Sequence, residues 1–225
     1  MSESRTDVPS AQDEVVEICR DLIRIDSSNY GDGSGLGERT AAEYVAGQLS
    51  EVGLEPEIFE SAERRTSLVV RFEGEDSSRP GLLVHGHLDV VPAAAGDWTH
   101  DPFAGEIADD CLWGRGAVDM KDMDAMVLAL VRQMRLEGRK PPRDLVLCFL
   151  ADEEAGGKMG AHWMVDNHPG QFEGVSEAIS EVGGFSFTAG DQRVYLIETA
   201  QKGIHWLKLV AEGRVRAEGG RYSLA

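Results

Sequence analysis

The run LLVHGHLDVVP, residues 82–92, empties an apolar strand-like stretch into His85, His87 and Asp89. Imidazole and carboxylate groups placed this way either hold a metal ion or move a proton, and in open α/β sheets ligands collect beyond the carboxyl ends of the strands. A lone histidine beside a strand reads equally well as a hydrogen-bonded structural residue, so the other stretches decide. WGRGAVDMKDMDAM delivers Asp119 after turn glycines to the mouth of a helix. LVLCFLADEEAGG empties an apolar run straight into Asp152, Glu153 and Glu154, and EAISEVGGF ends a short alternating run at Glu181 before two glycines. Surface acids are ordinarily solvated charges, but these four clusters each close an apolar segment. Carboxylates packed at one sheet edge repel one another unless a cation lies between them. A divalent metal supplies it, and a mixed imidazole and carboxylate set suits zinc, with cobalt or manganese as alternatives. A binding module using the same acids without metal would leave them without a counter-charge.

Such a cluster needs elements that converge on one place. SLVVRF, GLLVHG and RDLVLCFL are β-branched-rich runs of strand length bounded by turn or helix signals. Ser10 and Asp13 form a capping-box pattern, after which Val15, Ile18, Cys19, Leu22 and Ile23 recur at helical spacing. A second helix is predicted from about Glu38 to Val52, with Ala41, Val45, Leu49 and Val52 on one face and Gly53 just past its end. A third, from about Met120 to Leu136, sets Met123, Met126, Val127, Leu130, Val131 and Met134 in a stripe expected to face the core. Strand, helix, strand in that order predicts a parallel α/β unit with a right-handed crossover. The glycine-rich NYGDGSGLGER lacks a G-K-[ST] ending and reads as a loop rather than a phosphate cradle.

Composition narrows the partners. With 225 residues, of which 42% are hydrophobic, the chain can bury one sizeable core, and its net charge of -18 opposes binding to nucleic acid or to anionic membranes. No apolar run reaches the roughly 18 residues that a membrane span needs. The polar start MSESRTDVPSAQDE lacks the apolar core of a signal peptide, so the expected address is cytoplasmic. Cys19, Cys111 and Cys148 are scattered without C-x-x-C spacing, which argues against a disulfide framework and against a cysteine zinc site. Any metal must therefore sit among histidine and carboxylates.

HGHLDVVP, W-x-x-D-P-F, WGRGAVDMK, ADEEAGG and EVGGF follow one another in the order and approximate spacing of the aminoacylase, glutamate carboxypeptidase and succinyl-diaminopimelate desuccinylase family of dinuclear zinc hydrolases. The chain resembles that family over roughly residues 11 to 213. The resemblance implies a mixed, mostly parallel α/β sheet with helices on both faces. It makes His87 a ligand of one metal, Asp119 the carboxylate bridging both, Glu154 a ligand of the second, and Glu181 the companion of His87 on the first. Asp89 would hydrogen-bond the His87 imidazole from behind and fix its tautomer. Glu153 would be the general base that takes a proton from water and delivers it to the leaving nitrogen. Also implied are a cis peptide between Asp119 and Met120, two zinc ions per chain, a small peptide or N-acyl amino acid as substrate, and a homodimer built through a lid domain. His85 is read as structural support, and His100, His162, His168 and His205 match no family ligand.

Two departures stand out. Asp109 and Asp110 occupy a turn where the family has aspartate then glycine. QKGIHWLKLVAEG resembles the entry to the lid, but RVRAEGGRYSLA replaces the expected glycine-rich turn with its histidine. The expected organisation is thus the N-terminal part of the catalytic domain over residues 1–200, and the start of a truncated lid and dimerisation domain over 201–225. Two functional expectations follow: metal-dependent hydrolysis of a peptide or N-acyl amide bond beside an amino acid carboxylate, or a truncated, catalytically inert metal-binding remnant or non-catalytic partner of a full-length relative. The family dimer is not expected of a chain lacking the lid.

Overall fold

The first helix begins where its sequence says it should. The Asp13 carboxylate accepts from the Ser10 N–H at 2.9 Å and from the Ser10 hydroxyl at 2.6 Å, closing the N-terminus of α1 (Ala11–Arg24). The structure, a computed structural model, describes residues 8–181, 186–196 and 200, and the backbone of 215–218 and 221–224. Contacts divide the chain into residues 1–181 and 182–225. Residues 201–214, where the lid was expected to begin, lie outside the described residues.

In the first unit α2 (Arg39–Ser50) follows α1, and Gly53 takes the positive φ of 75° that a helix-ending turn requires. Then come β1 (Glu57–Ala62), β2 (Arg65–Phe72), β3 (Gly81–His87), the short hairpin β4 (Glu106–Ala108) and β5 (Cys111–Trp113), α3 (Lys121–Leu136), β6 (Leu145–Leu150), α4 (Trp163–Asn167) and β7 (Val175–Ile179). Five strands form one mixed sheet in the order β1-β2-β6-β3-β7. β3 runs parallel to both β6 and β7, whereas β2 is antiparallel to its neighbours β1 and β6. In the second unit the described strands form two hairpins, β8 (Ser186–Ala189) with β9 (Gln192–Tyr195) and β10 (Val215–Glu218) with β11 (Arg221–Leu224).

Alternation along the strands builds two cores. Leu68, Val70 and Phe72 of β2 with Leu147 and Phe149 of β6 face α1, α2 and α3, while Val69, Val146, Cys148 and Leu150 face the other way onto Met164 of α4. Helices therefore cover both faces. The predicted faces of α1 and α2 are the buried ones, with Ile18, Cys19, Leu22, Ile23, Ala41, Val45 and Leu49 all inside. Each such fully buried large side chain contributes about 2 kcal/mol of transfer free energy.

The methionine stripe of α3 is a correction. Val131 of that stripe is buried and Val127 and Met134 pack against the core, but Met126 and Leu130 are each 52% exposed, and the buried face runs Lys121, Asp124, Ala125, Leu128, Ala129, Val131 and Arg132. The helix is turned partly away from the apolar stripe, and two of its charged residues, Lys121 and Arg132, find partners inside. Lys121 Nζ donates to the carbonyls of Leu22 and Ile25 at 2.9 and 2.7 Å, and Arg132 bonds Glu14, Glu51 and the Gln48 carbonyl. The two carbonyls close the C-terminal end of α1, so a lysine from α3 serves as its cap.

Asp109 and Asp110 both take positive φ, 52° and 59°, forming the two-residue turn that joins β4 to β5. That pattern is the one a tight hairpin demands, and aspartate tolerates it better than most side chains. No helix among the described residues is long and apolar enough to cross a membrane.

Candidate metal centre

Strand register assembles the cluster. His87 at the end of β3 lies opposite Leu150 at the end of β6, so Asp152, Glu153 and Glu154 emerge beside it. On the other side Val84 pairs with Ile179, which brings Glu181, two residues past the end of β7, to the same edge. Asp119 arrives from the β5–α3 connection, and the Asp119–Met120 peptide is cis. Parallel pairing of β3 with both neighbours thus sends three chain segments out of one sheet edge.

His87 forms the floor and the carboxylates the rim. The imidazole side chain is 3% exposed, against 62% for Asp119, 51% for Glu153 and 29% for Glu181. Its Nε2 lies 3.1 Å from Asp119 Oδ1, 3.2 Å from Glu181 Oε2 and 3.8 Å from Glu153 Oε2. One ligand atom each from His87, Asp119 and Glu154 falls within 4.8 Å of the other two. Nδ1 contacts the Asp89 carbonyl at 2.9 Å, and a carbonyl only accepts, so Nδ1 carries the hydrogen. In a neutral imidazole Nε2 then presents a lone pair to the carboxylate oxygens. Such a set needs a proton or a metal ion at its centre, and a hard or borderline divalent cation fits nitrogen and oxygen donors of this kind.

The titrations carry the same message. Burial opposes charge on His87, but Asp89, Glu153 and Glu181 outweigh it and push the imidazole up to about 9. Burial first, then Asp119, pushes Glu154 up to about 7, and burial also raises Glu153 against the pull of His87. Among the described residues no lysine or arginine pairs with Asp119, Glu153, Glu154 or Glu181; His87 is their cationic neighbour. A proton on His87 thus fills the place that a cation would take.

The sequence-based role of Asp89 needs revision. Its carboxylate, fully buried, stands 3.6 Å from His87 Nδ1 and does not hydrogen-bond the ring. Its oxygens are committed elsewhere: Oδ1 accepts from the Glu153 N–H at 3.0 Å, and Oδ2 from the Glu154 N–H at 3.1 Å and the Asn29 amide at 2.8 Å. The ring is oriented by the Asp89 carbonyl, and the side chain holds the turn that carries both glutamates. Glu154 is further fixed by the Val91 N–H, which donates to its Oε1 at 3.2 Å. Asn29 and Arg65, which surround this arrangement, were not singled out from sequence; the signal available was a polar SSN run directly after an amphipathic helix.

The remaining histidines stand apart. His85, two residues earlier on β3, is held below its ordinary pKa by burial and by His87. His100 pairs with Glu106 at 3.0 Å and stacks on Trp113, and His168 packs between Phe59 and Trp163. His205 lies outside the described residues.

A mixed sheet thus delivers one imidazole and several carboxylates to a single edge, a donor set suited to a divalent cation. The family profile described as peptidase family M20/M25/M40 matches residues 83–212. The chain belongs to this family. An uncharacterized metallohydrolase of Methanococcus maripaludis is 30% identical over 91% of this chain and 50% of its own length. Aminoacylase-1 of Sus scrofa is 28% identical over 77% of this chain and 42% of its own. The chain thus spans about half the length of these curated relatives. Among solved structures, an M20 family metallo-carboxypeptidase from Sulfolobus solfataricus superposes with a TM-score of 0.65 at 20% identity, covering 76% of this chain and 38% of the other. The dipeptidase Dug1p from Saccharomyces cerevisiae gives 0.62 at 24% identity, with 75% and 38% covered. Both likenesses concern the fold.

Proposed function

We propose that this chain binds a pair of divalent metal ions, zinc in the first instance with cobalt or manganese as substitutes, and hydrolyses a peptide or N-acyl amide bond beside an amino acid carboxylate. The observation that carries the reading is the convergence of His87, Asp119 and Glu154 ligand atoms within 4.8 Å, with the lone pair of Nε2 aimed into them. In this reading His87 and Glu181 would hold one ion and Glu154 the other, with Asp119 available to both. When bound, a metal pair acidifies water from about 15.7 toward about 7 and polarises a carbonyl.

The protein's own groups do the rest. Glu153, exposed at the rim and free of the backbone contact that ties Glu154, accepts a proton at its carboxylate from the attacking water and releases it to the departing nitrogen. Burial holds its pKa above that of an ordinary glutamate, which brings it closer to the neutral range where a base works best. Asp89 fixes the Glu153 backbone by accepting its N–H, which anchors the base of that side chain.

The test is zinc content per chain followed by hydrolysis of a panel of dipeptides and N-acetyl amino acids, with Glu153→Gln alongside. Two ions per chain with turnover that Glu153→Gln abolishes, at unchanged zinc content, supports the reading. A wild-type chain that takes up no zinc sinks it. Zinc uptake without turnover would favour the alternative of a metal-binding chain that does not itself catalyse.

A further inference from the structure

Behind the carboxylate turn lies a second, fully internal set of charges. Asn29, Glu38, Arg65, Asp89 and Asp152 are all less than 8% exposed, three of them acids and one a base. Asn29 sits at their centre with both ends of its amide engaged. Its Nδ2 donates to Asp89 Oδ2 at 2.8 Å and to Asp152 Oδ1 at 3.2 Å. Its Oδ1 accepts from Arg65 Nη2 at 2.8 Å and from the Gly31 N–H at 3.0 Å. The partners fix which end is which, since two carboxylates can only accept and a guanidinium can only donate. Arg65 is itself held by Glu38 at 2.5 Å.

Both aspartates that Asn29 joins act on the same loop. Asp89 accepts the Glu153 and Glu154 N–H groups, and Asp152 accepts the Met159 N–H at 2.9 Å. Asp152 also has a left-handed backbone, φ 64°, a conformation that a non-glycine residue keeps only when its surroundings impose it. Left alone, two buried like charges would move apart; one amide carrying two hydrogens holds them together while the guanidinium offsets their charge.

We propose that Asn29 is a positioning residue for the metal-binding turn: its side-chain amide clamps Asp89 to Asp152, and so sets the backbone from which Glu153 and Glu154 project. Arg65 orients that amide. The inference rests on the metal-binding reading given above, and the side-chain hydrogen bonds of Asn29 go to Asp89, Asp152, Gly31 and Arg65 rather than to a proposed metal ligand. An aspartate at this position has the same shape but lacks the two donors and adds a fourth carboxylate to the set.

Zinc affinity by competition with a chelating dye, measured on the 225-residue chain, tests this without any need for turnover. Asn29→Asp and Asn29→Ala are compared with wild type and with Leu22→Ala, a core variant in α1 that lowers stability and shares no hydrogen bond with the turn. Asn29→Asp and Asn29→Ala are expected to bind zinc about 10–100-fold more weakly, and to change the visible spectrum of the cobalt(II)-loaded protein. Leu22→Ala, studied where it remains folded, should keep both. If Asn29→Asp does not fold, Asn29→Ala decides the matter, because it removes the donors without adding charge. Wild-type zinc affinity and an unaltered cobalt spectrum in the Asn29 variant that folds would overturn the positioning role while leaving the metal site standing. A wild type that binds no zinc would overturn the underlying reading, and the clamp with it.

Discussion

Stripped of metal, the protein should lose stability as the solution becomes more alkaline, and both of the strongly displaced groups at the centre set that sign. His87 is raised from 6.5 to about 9, so its contribution is complete below 6.5 and is lost as pH climbs through 9. Glu154 is raised from 4.5 to about 7. Across that window the folded protein still holds a proton that the unfolded chain has released, so stability again falls with rising pH. Each displacement alone corresponds to about 3 kcal/mol. The two groups share neighbours and Glu154 is partly solvated, so about 3 kcal/mol in total between pH 5.5 and 8.5 is the sounder figure. For a chain of this size that lowers the melting temperature by roughly 6–12 °C. The assay is thermal unfolding in excess chelator at several pH values, for wild type and for the double variant His87→Gln with Glu154→Gln. The double variant removes both titrations and should flatten the slope, which separates the centre from the general repulsion of a chain carrying -18 charges. Zinc added at pH 8 should restore stability to wild type only. A chelated wild type that melts no lower at pH 8.5 than at pH 5.5 would refute the reasoning, as would a double variant with the wild-type slope.

Three further expectations come from the scaffold. Leu22 is completely buried between α1 and its neighbours; Leu22→Ala should cost about 2–5 kcal/mol in urea unfolding. A Cβ on Gly160 would stand 1.7 Å from the Ala151 carbonyl oxygen. Gly160→Ala must therefore displace the backbone just before Asp152, and chelator competition should show weakened zinc binding in whatever fraction folds. Asp110 holds φ 59° in the β4–β5 turn, so Asp110→Gly should raise the unfolding free energy by about 1 kcal/mol, with zinc binding unchanged.

How much of this was legible in the sequence depends on the range over which each residue acts. The four clusters that carry His87, Asp119, Glu154 and Glu181 are visible as local patterns that need no knowledge of the partner, whereas the choice of those four residues as ligands is what the family resemblance implies. The capping box of Ser10 and Asp13 and the turn at Gly53 are local for the same reason. α3 misled because its inward face is chosen by distant partners: Lys121 reaches residues 22 and 25, and Arg132 reaches residues 14, 48 and 51. Periodicity registers hydrophobicity and is blind to a charge satisfied from far along the chain. Asn29 was hidden similarly, in a loop-like stretch with its two carboxylate partners 60 and 123 residues away. Asp89 shows the intermediate case. Proximity to His87 suggested that its carboxylate supports the ring, whereas the fold commits that carboxylate to backbone groups of the glutamate turn.

The lysine cap on α1 also has a consequence for how the chain is made. The carbonyls of Leu22 and Ile25 wait for a donor 99 and 96 residues further on, and the inner face of α1 waits for α3 itself. During synthesis at about 5–20 residues per second, the first helix leaves the ribosome roughly 5–20 s before the residue that completes it. For that interval Ile18, Leu22 and Ile23 have no α3 to cover them. The order of translation, rather than the finished structure, therefore leaves the inner face of α1 without its α3 cover while the chain is made.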